Sequence, residues 1–305
     1  MILLTSHVSY CREMPDWEIR TVADTLNSLL SCEFDDVKHE ALLNIFYLQF
    51  WEDHTNLRDF TRCLLKQKVN EASCYKVSLR VYCNKRFGVD QKKTLRCANI
   101  SRADSTLQSP PPPHVTEYRE CIASQLNLAQ PCLAHLLTRC RRSPIRGVKT
   151  VRGTMEEAAL LLRRNPNAKI VHLFRDPRAV LLSRMRGDSY RSYSTKKDIT
   201  HEAKFYCGIL DKDLHFRDEL VKRYPNSIKE LIYEDFVRDP LGKAKEIYDF
   251  LGIDLVPEVK EWLLNSTAKS VDIAKAWRDK ITPVEQRAIE LTCAHLFSHA
   301  ADVWT

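Results

Sequence analysis

The chain has 305 residues, a formal net charge of +7 and 44% hydrophobic residues, sufficient apolar content for one large or two small domains with their own cores. The positive balance favours an anionic partner, but with no basic run interleaved with aromatics and no zinc-finger spacing it argues against nucleic acid. No stretch approaches the roughly 18 apolar residues of a membrane-spanning helix, and Met1-Ile2-Leu3-Leu4-Thr5 is too short an apolar run for a signal-peptide core.

From the N-terminus, residues 16–65 read as helical. Trp17, Ile19, Val22, Leu26, Leu29 and Leu30 recur at helical spacing, and a second, more continuously apolar run covers Val37 to Phe50. Residues 66–98 are mixed and dotted with cysteine. Residues 100–116, with Pro110 to Pro113, read as an exposed loop. A further helix is expected over Cys121 to Arg139. All cysteines except Cys207 and Cys293 lie before Arg141, and none shows the CxxC spacing of a zinc site. The total of 11 cysteines predicts a disulfide-bearing secretory protein with at least one thiol left over. The sequons Asn99-Ile-Ser101 and Asn265-Ser-Thr267 agree with that compartment. Cysteine usage and the N-terminus therefore disagree, and an anchor encoded upstream would reconcile them.

Past residue 144 the pattern changes to alternating strands and helices. Ile145 to Val151 reads as a strand and Met155 to Arg164 as a helix ended by Asn165-Pro166. Ala168 to Phe174 reads as a buried strand, and Pro177 opens a helix through about Arg186. Ser227 to Tyr233 is another strand, followed by a helix from Pro240 to Leu251. This order predicts an α/β fold with a parallel sheet flanked by helices. Two parts follow: a helical, cysteine-rich part over 1–144 and a strand-containing part over 145–305.

The chemistry concentrates in Leu173-Phe174-Arg175-Asp176-Pro177-Arg178-Ala179-Val180-Leu181-Leu182-Ser183-Arg184. Arg175 sits at the carboxyl end of a buried strand, where ligands bind in open α/β sheets. The N–H groups of the helix that opens at Pro177 favour an anion at the same place, and Arg175 can contact a phosphate in bidentate fashion. Ser183, eight residues on, is a candidate hydroxyl donor. Arg178 either faces a nucleotide or pairs with Asp176. As an isolated tetrapeptide, Arg175-Asp176-Pro177-Arg178 reads as a charged turn.

The whole segment resembles the 3′-phosphate-binding motif of the sulfotransferases that use 3′-phosphoadenosine 5′-phosphosulfate (PAPS), in the group that sulfates the 6-hydroxyl of galactose, N-acetylgalactosamine or N-acetylglucosamine. Three other stretches carry the resemblance across residues 145–296. They are Val148-Lys-Thr-Val-Arg152, Leu231 to Pro240 with Ile247 to Ile253, and Trp277-Arg278 with Cys293. Leu29 to Phe34 resembles the region just after the family's first motif. The resemblance implies a P-loop-like sulfotransferase fold, with Arg175 and Ser183 on the donor's 3′-phosphate and the segment Arg175 to Ser183 lining the donor site. It implies PAPS as co-substrate without a metal, a glycan or glycosaminoglycan acceptor, and a type II membrane protein of the Golgi lumen in its complete form.

The family also carries an Arg-x-Gly-Ser-Ser loop that cradles the 5′-phosphosulfate, glycine letting the backbone approach the anion. Of the seven glycines here the first is Gly88. The expectation is therefore an N-terminally truncated member lacking the first strand and the phosphosulfate loop, with the membrane anchor upstream. The function expected of the complete protein is sulfuryl transfer to a sugar hydroxyl. The alternative is a non-catalytic luminal relative that binds nucleotide or glycan. A P-loop kinase-like enzyme lacks support because GxxxxGK[ST] is absent.

Individual side chains have competing roles. Lys149 is a donor contact or a solvated flank, and His172 is a core histidine rather than a base. Glu234 and Asp235 are catalytic acids or helix caps. Trp277 is a nucleotide cover or core. The cluster Arg139, Arg141, Arg142 and Arg146 is a glycan-attracting patch or a solvated face. The residues single out no catalytic base.

Overall fold

The computed structural model describes residues 2–5, 16–34, 58–70, 74, 113–150, 153–186 and 199–304. The expected helix over Val37 to Phe50, the mixed stretch 75–98, most of the proline-rich loop and Asn99 lie outside them. The chain divides into two compact units, Met1–Asn27 with Gly147–Thr305, and Ser28–Arg146.

The first unit is built on a four-stranded sheet: β1 (Ile2–Thr5), β2 (Val148–Thr150), β3 (Ile170–Phe174) and β4 (Ile228–Ile232). The spatial order is β2-β1-β3-β4, with all three pairings parallel. The expectation that the first strand is missing is corrected here. Ile2–Thr5 lies between β2 and β3, with Leu4 in register with Thr150 on one side and His172 on the other. An apolar run too short for a signal core is still long enough for a strand, because strands of four to six residues are ordinary. The interior strand β3 is apolar almost throughout, as a strand covered on both faces must be, and only Leu173 is partly exposed.

Local sequence explains the helices around this sheet. After β2, α4 (Met155–Arg164) opens with a capping box: Thr154 Oγ1 accepts from Glu157 N, and the Glu157 carboxylate accepts from Thr154 N at 2.9 Å. After β3, α5 (Pro177–Arg186) begins with proline, whose missing N–H costs nothing at a helix start. The long α6 (Ile199–Arg223) then leads into β4. Beyond β4 come α7 (Tyr233–Arg238) and α8 (Pro240–Leu251), so the strand expected to include Tyr233 ends one residue earlier. Asp239 caps α8 by accepting from Gly242 N at 3.0 Å, and Gly252 ends it at φ 68°, a left-handed conformation that favours glycine. The remaining helices are α9 (Pro257–Thr267), α10 (Ser270–Lys275), α11 (Pro283–Thr292), α12 (Ala294–His299) and α13 (Ala301–Trp304). Asn265 is exposed on α9. The main core joins Phe174 of β3 and Leu181 of α5 to Tyr206, Cys207 and Leu210 of α6 and to Ile289, Leu296 and Trp304. A disulfide between Cys207 and Cys293 ties α6 to the end of α11.

The second unit receives the end of α1 (Asp16–Ser31) and contains α2 (Arg58–Lys66) and α3 (Pro113–Arg142). Helix α3 starts at Pro113, so residues 113–116, read as loop, are helical: proline's fixed φ suits a first turn. Phe60, Leu64, Leu126 and Ala129 form the core of this unit. Among the described residues three disulfides staple it, Cys32–Cys140, Cys63–Cys132 and Cys74–Cys121. The cysteine count thus reflects disulfides, as the composition predicts; Cys11, Cys83 and Cys97 lie outside the described residues. No described helix is long and apolar enough to cross a membrane.

Candidate donor site

Arg175 follows directly on β3, where the strand's carboxyl end meets the first turn of α5. Its guanidinium carbon lies 4.5 Å from the ring centroid of Tyr233, the first residue of α7. The side chain is half-buried, and its Nε is a buried donor with no hydrogen-bond partner among the described residues. A buried N–H of a charged group left unmade is costly, so this atom marks where an anionic acceptor fits. Arg184, one turn from the end of α5, stacks 4.7 Å over the Tyr206 ring, and both arginines bear electrostatically on that phenol. Burial pushes the Tyr206 hydroxyl well above its ordinary pKa.

The second arginine of the motif behaves differently. Arg178 is almost wholly enclosed and donates to Asp176 through its backbone N at 2.8 Å, Nε at 3.1 Å and Nη2 at 2.9 Å. Its Nη1 donates to Glu290 at 2.9 Å, and Nη2 also reaches the Trp304 carbonyl. Trp277 and Phe297 sandwich the guanidinium at 4.4 and 4.8 Å. Burial on its own would lower its pKa; the hydrogen bonds and charges of Asp176 and Glu290 outweigh burial and raise it. Of the two roles open for Arg178, the structure shows the pair with Asp176. Because the Asp176 carboxylate already accepts Arg178 N, the first turn of α5 is capped from within the chain.

The other residues of the segment divide between core and surface. Pro177, Ala179, Val180, Leu181 and Leu182 are buried, with Ala179 and Leu182 packed on Trp277. That places Trp277 in the core under α5. Ser183 is exposed, and no hydrogen bond joins it to Arg175. His172 is fully buried in β3 with its ring 4.1 Å from Phe174, and burial pushes its pKa down to about 3, which makes it a neutral core residue. Lys149 is exposed on β2. Asp235 pairs with Arg238 at 3.2 Å. In the second unit Arg139 pairs with Asp59 at 3.0 Å and Arg146 donates to the Leu30 carbonyl, while Arg141 and Arg142 are exposed.

Glu234 does not stand free: in the first turn of α7 its carboxylate accepts from its own backbone N–H, as a helix-capping role requires. Its Oε1 accepts from Asp176 N at 3.1 Å and its Oε2 from Trp304 Nε1 at 2.9 Å. Burial raises its pKa, and those two hydrogen bonds oppose the rise. Sequence reasoning passed over Tyr206, Tyr233 and Trp304, all of which contact the motif or its braces. Only Tyr206 carries a local signal, since Ala203, Tyr206, Leu210 and Leu214 repeat at helical spacing. Among the described residues no group of His, Cys, Asp or Glu is placed to hold a metal ion.

Comparison with known proteins identifies relatives of this chain. Human carbohydrate sulfotransferase 3 is 32% identical over 149 residues, which is 44% of this chain and 31% of the relative. Carbohydrate sulfotransferase 1 of Danio rerio is 27% identical over 205 residues, 58% of this chain and 47% of the relative. Carbohydrate sulfotransferase 3 of Tetronarce californica is 30% identical over 167 residues, 50% of this chain and 36% of the relative. The chain thus spans less than half the length of these curated relatives. No solved structure gives a significant match. The sulfotransferase family profile matches residues 57–258, more than half of the chain and the whole Arg175 segment. The chain therefore belongs to the sulfotransferase family, and the relatives it matches are carbohydrate sulfotransferases.

Proposed function

We propose that this chain carries the 3′-phosphate half of a PAPS site, in a protein that sulfates a hydroxyl, the 6-hydroxyl, of galactose or an N-acetylhexosamine in a glycan or glycosaminoglycan. The observation that carries this is the buried Nε of Arg175 at the carboxyl end of β3, without a hydrogen-bond partner among the described residues. When bound, the donor supplies the sulfuryl group and leaves as 3′-phosphoadenosine 5′-phosphate (PAP). The residues of this chain hold it. Arg175 meets the 3′-phosphate with a charge-assisted, bidentate contact, and Tyr233 fixes the plane of the guanidinium. The Asp176–Arg178 pair keeps the turn rigid, so the cation is preorganised rather than recruited. Ser183 would add its hydroxyl only after moving toward Arg175. The four disulfides among the described residues, and relatives that are carbohydrate sulfotransferases, support the reading that the complete protein belongs to the secretory pathway, as a Golgi luminal enzyme anchored as a type II membrane protein.

A second reading, a non-catalytic luminal relative, is favoured by one observation: no glycine precedes Gly88, so the first part of the chain has no glycine-bearing phosphate loop. Two assays separate the readings. PAP binding is measured by calorimetry, and transfer is measured with radiolabelled PAPS and galactose- or hexosamine-containing glycans, both without magnesium. Binding that Arg175→Ala weakens by about tenfold or more, together with label transfer, supports the enzyme. Binding without transfer supports the non-catalytic relative. The absence of both overturns the donor site.

A further inference from the structure

We propose that Tyr233, Glu234 and Trp304 are positioning residues for Arg175, and that Trp304, far along the chain from the motif, sets the donor site's preference for a 3′-phosphate. This rests on the donor-site proposal above. Arg175 is held in two ways, and both run through the first turn of α7. Its guanidinium stacks on Tyr233 at 4.5 Å, which leaves the edge of the fork, where the N–H groups point, available to an anion. Its main chain is held through the Arg175–Asp176 peptide, whose N–H donates to Glu234 Oε1 at 3.1 Å. Neighbouring residues of one helix therefore fix the arginine's plane and its root.

Glu234 needs a brace of its own, since a mostly buried carboxylate with one partner would be free to rotate. The Trp304 indole provides it by donating to Oε2 at 2.9 Å. Trp304 is itself buried and sits edge-on to Phe297 at 5.8 Å. Its carbonyl accepts from Arg178, which grips the Asp176 carboxylate. Trp304 thus holds the turn after β3 from both sides, through Glu234 to the Asp176 N–H and through Arg178 to the Asp176 side chain. Side chains that only filled the core would not converge on the one peptide that orients Arg175.

The test measures the preference for PAP over adenosine 5′-phosphate, two ligands that differ by the 3′-phosphate, on the full chain with its disulfides intact. Trp304→Phe keeps an aromatic side chain and removes the indole N–H together with one fused ring, so its thermal midpoint is measured alongside the preference. Tyr233→Leu removes the stack, and Tyr233→Phe keeps it. A positioning role predicts that Trp304→Phe and Tyr233→Leu each cut the preference roughly threefold to tenfold, that Tyr233→Phe restores it, and that affinity for adenosine 5′-phosphate stays level. A structural role alone would lower the thermal midpoint while leaving the preference at its original value, and that result overturns the inference. Arg175→Ala separates the two proposals. If the unsubstituted chain shows no preference for Arg175→Ala to remove, the donor site itself falls, and the relay falls with it.

Discussion

Acid should destabilise this fold through His172. The ring is fully enclosed in β3 against Phe174, and burial, then the nearby Arg217 and His299, push its pKa down to about 3 from the ordinary 6.5. In the unfolded chain the imidazole binds a proton below pH 6.5; in the folded chain it stays neutral. The unfolded state therefore takes up more protons as pH falls, and stability drops. For these two pKa values the loss between pH 7.5 and pH 4.5 is roughly 2 to 3 kcal/mol, with less than half of it present by pH 6. The figure depends mainly on the unfolded pKa, so a folded value of 4 would change it little. Urea unfolding of the oxidised chain, followed by near-ultraviolet circular dichroism at several pH values, measures the loss. His172→Leu supplies a non-titrating apolar side chain at the same place, and the difference between the two profiles isolates the ring. An unchanged acid slope in His172→Leu would show that the ring titrates normally and that the enclosure inferred from the fold is wrong.

Asp213 acts in the opposite direction. It is buried in α6, one oxygen accepts from Met155 N at 2.8 Å, the other has no partner among the described residues, and burial pushes its pKa up to about 8. The folded chain holds this proton between pH 4 and 8 while the unfolded chain releases it, so stability falls by up to about 1.4 kcal/mol per pH unit as pH rises. Asp213→Asn should remove this downward slope between pH 4 and 8 from the same urea profile; an unaltered slope in that window refutes the assignment. Removing the Cys207–Cys293 disulfide by the double serine variant frees a closure of 86 residues and should cost about 4.5 kcal/mol by the chain-entropy relation. A loss below about 1 kcal/mol would show that α6 and α11 hold together by packing alone.

What could be read in the sequence was what local chemistry decides. Helix α4 ends at Asn165-Pro166, α5 starts at Pro177 and α8 runs from Pro240 to the glycine at 252, because caps and prolines impose those limits on a few adjacent residues. The location of Arg175 followed from the same logic, a buried strand running into a proline-opened helix. Contacts between distant residues were not legible. Asp176 meets Glu234 at a separation of 58 residues, and Arg178 meets Trp304 at 126. Nothing local distinguishes Trp304 from any aromatic near the end of a helical stretch. Arg178 remained open on sequence grounds for the same reason: the Asp176 partner was visible two residues away, while Glu290 and the two aromatic rings were not. Helix α6 is a different case. Its apolar repeat is plain in Ala203, Tyr206, Cys207, Leu210 and Leu214, and attention to the neighbouring motif passed over it.

The strand expected to be missing matters most for function. β1 lies between β2 and β3, and Thr5 pairs in register with Leu173, two residues before Arg175. The chain therefore leaves β1 at the same end of the sheet as Arg175, beside the strand end that carries it. In a parallel sheet that end is where a strand–loop–helix turn presents its backbone N–H groups to an anion. The residues that follow Thr5 are Ser6-His7-Val8-Ser9, which provide hydroxyls but no glycine. Hydroxyls can donate to a phosphosulfate, but close approach of the backbone requires a residue without a Cβ. If the proposed donor site holds, the choice between an enzyme and a binding relative turns on the few residues after β1. Glycine substitutions at Val8 or Ser9 are the smallest changes that bear on it.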